Sequence, residues 1–89
     1  MIDIAARFGD NLKRQRKLAD ISQEELSVRA SLHRTEVSQL ERGLRIPRID
    51  TVVKLAKSLE VQVPSLLVGI DWEPGSAVYG RFKETEGGE

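Results

Sequence analysis

Apolar residues near the start of the chain recur at the spacing of an amphipathic helix. Ile4, Phe8 and Leu12 are four residues apart, so they share one helical face. Basic residues follow in the last turn, where the negative end of the helix dipole favours them. The pattern predicts a first helix over residues 3–18.

Two shorter helices are predicted next, with a very short break between them. Ser22 and Glu25 have the spacing of a capping box and open a helix over residues 22–30. A third helix, over residues 33–42, ends before Gly43, a residue type favoured just beyond a helix C-terminus. Two short helices joined in this way are typical of a helix-turn-helix.

Helical spacing resumes after a loop that contains Pro47. We predict a fourth helix over residues 49–59. Its predicted inward-facing residues are Ile49, Val52, Val53, Ala56 and Leu59. Pro64 is typical of a first helical turn and predicts a short fifth helix over residues 64–68. The pattern therefore predicts an all-α fold of five helices.

The tail of the chain has a different pattern. Residues 78–82 alternate weakly, as a strand does, and Trp72 is the only tryptophan. A lone strand has no partner in an otherwise helical chain. Trp72 therefore either packs back on the helices, or the tail forms a dimer contact in which residues 78–82 pair across subunits. We divide the chain into a helical domain, residues 1–70, and a tail, residues 71–89.

Composition excludes several classes of protein. The 89 residues make one small domain and include no cysteine, which excludes disulfides, cysteine zinc sites and thiol chemistry. The sequence contains no signal-peptide pattern and no apolar run of about 20 residues, so we expect a cytoplasmic protein. The net charge is zero, which argues against a polycation that coats nucleic acid. Residues 1–70 nevertheless carry 12 Lys/Arg against 9 Asp/Glu, which allows a local basic face.

The predicted third helix has one face rich in hydrogen-bond donors. At about 100° per residue, Val37 and Leu40 form a core-facing stripe. The polar residues of the opposite arc are Arg34, Thr35, Ser38, Gln39 and Arg42. Taken alone, this arc is either a solvated surface or a surface that binds a polar partner.

The segment ISQEELSVRASLHRTEVSQLERGLRIPRIDTVVKLAKSLEV, residues 21–61, resembles the phage repressor and Cro type of helix-turn-helix, also called the xenobiotic-response-element type. The matching features are SQEEL at 22–26, VSQLERG at 37–43, Pro47, and Leu55-Ala56 with Leu59 and Val61. The resemblance covers about residues 7–68 and implies a five-helix DNA-binding domain of a transcription regulator, usually dimeric. This chain departs from the family at three helix ends, where Asp20, Ser31 and Glu60 replace the usual glycine.

By this resemblance, the third helix enters the major groove of double-stranded DNA. Arg34 can bind guanine in bidentate fashion and Gln39 can pair with adenine. The predicted base contacts are His33, Arg34, Thr35, Ser38 and Gln39. The predicted phosphate contacts are Gln23, Arg42, Arg45, Arg48, Lys13 and Lys17. Arg16 and Glu41 stand where the family has an ion pair between the first and third helices.

These patterns predict a sequence-specific transcriptional regulator, a repressor that binds a palindromic operator as a homodimer. The dimer interface is expected to involve the fourth and fifth helices with the tail. We expect no enzyme activity, cofactor or metal, because the chain has one histidine and no glycine-rich phosphate loop. The alternative is an antitoxin-type autorepressor that also binds a partner protein through residues 71–89.

Overall fold

A computed structural model describes residues 2–76 and 78–85. Within these residues the chain forms helices α1 (Ile4–Leu18), α2 (Gln23–Ala30), α3 (Arg34–Glu41) and α4 (Ile49–Leu59), a 3-10 helix (Val63–Leu66), and strands β1 (Ile70–Glu73) and β2 (Arg81–Glu84). The helices form one body, and the two strands form an antiparallel hairpin beside it. No helix in the described ranges is long and apolar enough to cross a membrane.

Side-chain caps explain where the first two helices begin. Asp3 Oδ1 accepts hydrogen bonds from the backbone N–H groups of Ala5 and Ala6, at 3.0 and 3.2 Å. Ser22 Oγ accepts from the N–H of Glu25 at 3.0 Å, which is the first half of the predicted capping box. The Glu25 carboxylate accepts instead from Arg29, one turn along α2. Local sequence therefore determines both starting points.

Three non-glycine residues adopt left-handed backbone conformations where the helical segments end. Asp20, Ser31 and Glu60 have φ values of 59°, 56° and 58°, a region in which a Cβ atom is disfavoured. At each of these ends the next residue donates its N–H to a carbonyl five residues back, as in the bond from Leu32 to Ser27 at 2.9 Å. These hydrogen bonds hold the tight turns despite the missing glycines.

The core lies between the helices. Its fully buried members come from every helical element and include Leu12, Leu26, Val37, Leu40, Leu55 and Leu66. Gly9 lets α1 approach α3 closely, since a Cβ at this position would overlap the backbone oxygens of Leu40 and Glu41. The close approach fixes α3 against α1.

The prediction that Ile49 and Val53 face the core was wrong. Ile49 is 84% exposed and Val53 is 53% exposed. The buried face of α4 comprises Thr51, Leu55, Ala56 and Leu59. The apolar arc of the helix extends beyond the side that packs, and the buried side includes the polar residue Thr51. Periodicity alone therefore could not locate the buried side.

The prediction of an all-α fold with five α-helices was also wrong. The fifth helical segment is a single 3-10 turn over Val63–Leu66. The tail strand does not lack a partner, since Arg81–Glu84 pairs with Ile70–Glu73 of the same chain and Trp72 lies opposite Phe82. Trp72 stays half exposed and makes an edge-to-face contact with Phe82, with 5.0 Å between ring centroids.

Candidate nucleic-acid interface

Helix α3 turns its polar arc to solvent. Val37 and Leu40 are completely buried, while Arg34 and Thr35 are exposed and Ser38 is half-buried. Gln39 is also half-buried, and His33 lies exposed at the N-cap position without a capping hydrogen bond from its side chain. The five side chains predicted to contact bases therefore lie along α3 or at its start, and none is enclosed in the core.

A buried carboxylate joins the three elements behind this arc. Glu41, at the end of α3, accepts from Arg16 of α1 through both carboxylate oxygens, at 2.6 and 3.0 Å. Gln23, at the start of α2, donates its side-chain amide to the same carboxylate at 3.0 Å. Arg16 also donates to the carbonyl of Ile21 at 2.9 Å. We call Arg16, Gln23 and Glu41 the Glu41 cluster.

Burial and charge act together in the Glu41 cluster. The side chains of Glu41 and Arg16 are only 3% and 12% exposed. The hydrogen bond that Arg16 donates to Glu41 raises the pKa of Arg16 and outweighs the effect of its partial burial, which acts in the opposite direction. The guanidinium therefore stays charged, and the paired charges hold α1, α2 and α3 in one arrangement. Gln23, a predicted phosphate contact, is itself positioned by Glu41.

The loop after α3 carries three exposed arginines. Arg45 donates to Gln39 Oε1 at 3.2 Å, which links this loop to the polar arc. Arg48 Nε lies 3.3 Å from Asp50 Oδ1 in an exposed ion pair. Arg42 follows directly after α3. All three arginines follow the C-terminal end of α3 along the chain and are exposed.

Lys13 and Lys17 lie elsewhere, on the exposed side of α1. With Asp10, Arg14 and Leu18 they line a shallow surface depression. No hydrogen bond in the described structure connects either lysine to α3.

The comparison with known families identifies this arrangement. Residues 12–66 match the HTH_3 helix-turn-helix model. The chain belongs to the HTH_3 helix-turn-helix family. This is a family of DNA-binding transcription regulators and not a family of enzymes.

Curated relatives of this HTH_3 protein include two control proteins. One is control protein C.SmaI of Serratia marcescens, which is 36% identical over 66 residues, 74% of this chain and 79% of the relative. The other is control protein C.BamHI of Bacillus amyloliquefaciens, which is 38% identical over 66 residues, 73% of this chain and 82% of the relative. The similarity thus extends over most of each protein.

A solved structure has the same fold. The crystal structure of the restriction-modification controller protein C.AhdI from Aeromonas hydrophila superposes with a TM-score of 0.68 at 32% identity. The match covers 70% of this chain and 94% of that one. The β1–β2 hairpin lies outside residues 12–66, the part of this chain that the family model matches.

Sequence reasoning missed the burial of Asn11, a polar residue of this HTH_3 body. Asn11 is 1% exposed, and its amide donates to the carbonyls of Leu66 and Val68 at 3.0 and 2.9 Å. Its own carbonyl accepts from Arg14. A single asparagine in an amphipathic helix gives no sequence signal of burial, because its partners are more than fifty residues away. Asn11 ties α1 to the segment that leads into the hairpin.

Proposed function

We propose that this protein binds double-stranded DNA sequence-specifically, as a homodimer on a palindromic operator, and represses transcription. The observation that carries the proposal is the solvent-facing polar arc of α3, backed by the Glu41 cluster. Preorganised side chains on a helix suit the reading of base edges, because binding then costs little conformational entropy.

Base contacts are assigned to the side chains of the arc. Arg34 is exposed in the first turn of α3 and can donate two hydrogen bonds to guanine O6 and N7. Thr35 offers a methyl group to thymine, and Gln39 offers paired donor and acceptor groups to adenine. Ser38 and His33 complete the proposed set of base contacts.

Phosphate contacts are assigned to groups at the border of the arc. Arg42, Arg45 and Arg48 would bind the backbone beyond the C-terminus of α3, and Gln23 would bind it at the N-terminus of α2, where backbone amides favour an anion. Lys13 and Lys17, on α1, are also assigned as phosphate contacts. Such contacts position a protein on DNA but do not read its sequence.

The exposed apolar side of α4 supports the proposed homodimer. Ile49 and Val53 are one turn apart and both exposed, and Ile46 is 61% exposed just before the helix. Exposed apolar side chains that lie close together in this way along a helix and just before it are common at protein interfaces. A two-fold dimer through α4 would carry two recognition helices, which suits half-sites about 34 Å apart.

Similarity to control proteins indicates which genes this protein would regulate. The relatives include control proteins, and the C.AhdI structure is described as a restriction-modification controller. We therefore expect an operator near restriction or modification genes, where a bound dimer would block transcription.

Selection of bound sequences from a random duplex library tests the proposal, followed by two alanine variants on the selected site. Arg34→Ala should cost about 1–3 kcal/mol of binding and relax preference at one base position in each half-site. Arg48→Ala is the matched control, because Arg48 carries the same charge and bonds to Asp50 rather than to a proposed base-reading residue. It should weaken all sequences alike. Enrichment of no sequence, or equal weakening of all sequences by Arg34→Ala, would refute the proposed readout.

A further inference from the structure

The two outer edges of the hairpin differ in how their backbone groups are satisfied. Thr85 donates its N–H to the carbonyl of Gly69 at 3.1 Å. Hydrogen-bonded pairs alternate along an antiparallel ladder, so the observed register directs the N–H groups of Ile70 and Trp72 outward from β1. By the same alternation, those of Phe82 and Glu84 point outward from β2.

The outward N–H groups of β1 have hydrogen-bond acceptors. Ile70 donates to the carbonyl of Leu67 at 3.0 Å. Trp72 donates to Oδ1 of Asp71 at 2.8 Å. In the described part of the chain, the outward N–H groups of Phe82 and Glu84 have no such acceptor. The outward N–H groups are therefore occupied on β1 and unoccupied on β2 in the described structure, and we call the β2 side the open edge.

One face of the hairpin is aromatic and exposed. Trp72 and Phe82 lie opposite each other on this face and are 49% and 39% exposed. The indole of Trp72 lies over Gly80, where a Cβ would overlap it. The open edge of β2 therefore lies beside an aromatic pair that the rest of the described chain leaves partly uncovered.

The other face of the hairpin carries balanced charges. Asp71 lies opposite Lys83, and Glu73 lies opposite Arg81. Arg81 Nε is 2.6 Å from Glu73 Oε1. Each basic residue of β2 thus already faces an acid of β1. A strand added at the open edge would meet Arg81 in an ion pair with Glu73 and Lys83 opposite an acid, rather than two isolated cations.

We infer that the open edge of β2 pairs antiparallel with β2 of a second copy of this chain, with Phe82 of one copy opposite Phe82 of the other. This two-fold register joins the outward groups of both strands and aligns Trp72, Phe82, Phe82 and Trp72 in one cross-strand row. Cross-strand aromatic pairs are favourable units of sheet stability. The joined hairpins form a four-stranded sheet.

Other symmetric registers are less favourable. Centring the two-fold axis on Lys83 or Arg81 places identical cations directly opposite each other, and it places Phe82 opposite Glu84 or Gly80. The inferred register instead places Arg81 of one copy opposite Lys83 of the other. This like-charge contact weakens the pairing only partly, because Glu73 and Asp71 flank it on the same face.

Sedimentation of the full chain without DNA, over a range of concentrations, tests this contact. Phe82→Lys places two lysines at the centre of the row and should weaken hairpin-dependent association at least tenfold. Val78→Lys is the matched control, because Val78 is 86% exposed in the same hairpin but lies outside β2. It should leave the association within about twofold of the original. Equal association of Phe82→Lys and the unchanged protein would overturn the inference.

A second variant changes the association in the opposite direction. Lys83→Thr removes the charge that faces Arg81 of the other copy and places a residue with high strand propensity there. It should tighten association severalfold, and unchanged or weaker association would contradict the inferred register. Fluorescence of the only tryptophan, Trp72, should shift to shorter wavelength as the copies associate.

This contact is separable from DNA recognition. Phe82→Lys should bind a single selected half-site with unchanged affinity, because α3 is not altered. Loss of association with intact half-site binding would support the hairpin contact. Association that Phe82→Lys weakens, in a protein that selects no sequence, would support the hairpin contact and refute the proposed function.

Discussion

The helical body and the hairpin are stabilised in different ways. The buried apolar side chains of the described structure lie between Ala5 and Leu66, within the body. The hairpin joins the body through Ile70, which packs against the core, and through an ion pair between Arg7 and Glu84. Exposed ion pairs stabilise little, whereas burial stabilises a great deal. The hairpin should therefore open under conditions that leave the body folded.

The largest expected effect is in the body, at the Glu41 cluster. Glu41→Ala leaves the nearly buried guanidinium of Arg16 without its carboxylate, which should destabilise the fold by roughly 3 kcal/mol. For a domain of this size the Tm should fall by roughly 12–24 °C. DNA affinity should fall as well, because Gln23 and the end of α3 lose their common partner. Thermal melts by circular dichroism and titration of the selected operator measure the two effects.

Glu24→Ala is the matched control for that prediction. Glu24 also lies on a helix of the body, but it is exposed and has no ion pair in the described structure. Its melt should stay close to that of the unchanged protein. If Glu41→Ala has the same Tm as the unchanged protein, the cluster does not hold the helices together.

A smaller effect is expected where the body meets the hairpin. Asn11→Ala leaves the carbonyls of Leu66 and Val68 without their donor, which should cost about 1–3 kcal/mol. Because these carbonyls precede β1, the fluorescence of Trp72 should change at a lower temperature than in the unchanged protein. Gln15→Ala, one turn along α1, is the control and should leave both signals nearly unchanged. If the two variants melt alike, Asn11 does not join the two regions.

The smallest effect is expected within the hairpin, on acidification. The hydrogen bond from Arg81 lowers the pKa of Glu73 below its usual 4.5. A carboxylate whose pKa is lower in the folded state stabilises that state above its ordinary pKa, and this contribution disappears as the pH falls through the lowered value. Trp72 fluorescence should therefore report hairpin opening below about pH 4.5, with little change in helical circular dichroism.

Glu73→Gln should reduce the dependence of the Trp72 signal on pH, since the titrating group is gone. Glu60→Gln, at an exposed position in the body, should leave it intact. An identical acid transition in Glu73→Gln would assign the opening to another group.

Features of local origin were predicted well. The bounds of α4 and the start of α2 follow from helical spacing and from the Ser22 cap, which depend on neighbouring residues. The polar arc of α3 was predicted because Val37 and Leu40 mark the opposite side of the same helix. The specific DNA contacts remain predictions.

Features that depend on distant partners were predicted poorly. The strand Ile70–Glu73 contains two acids and no clear alternation of burial, so it becomes a strand only because β2 lies beside it. No sequence pattern marked Gly9 as a site of close helix approach, although it sets the distance between α1 and α3. Ile49 and Val53 have the spacing of core residues, yet the neighbouring helices cover the other side of α4.

The sequence by itself determined the helical segments, their caps and the helix that carries the polar arc, because each depends on contacts within a few residues. Only the tertiary structure decided which side of α4 is buried, that Asn11 and Glu41 are enclosed with their partners, and that the tail folds as a hairpin. These outcomes depend on groups brought together from separate parts of the chain, and residue spacing alone does not specify which surfaces meet.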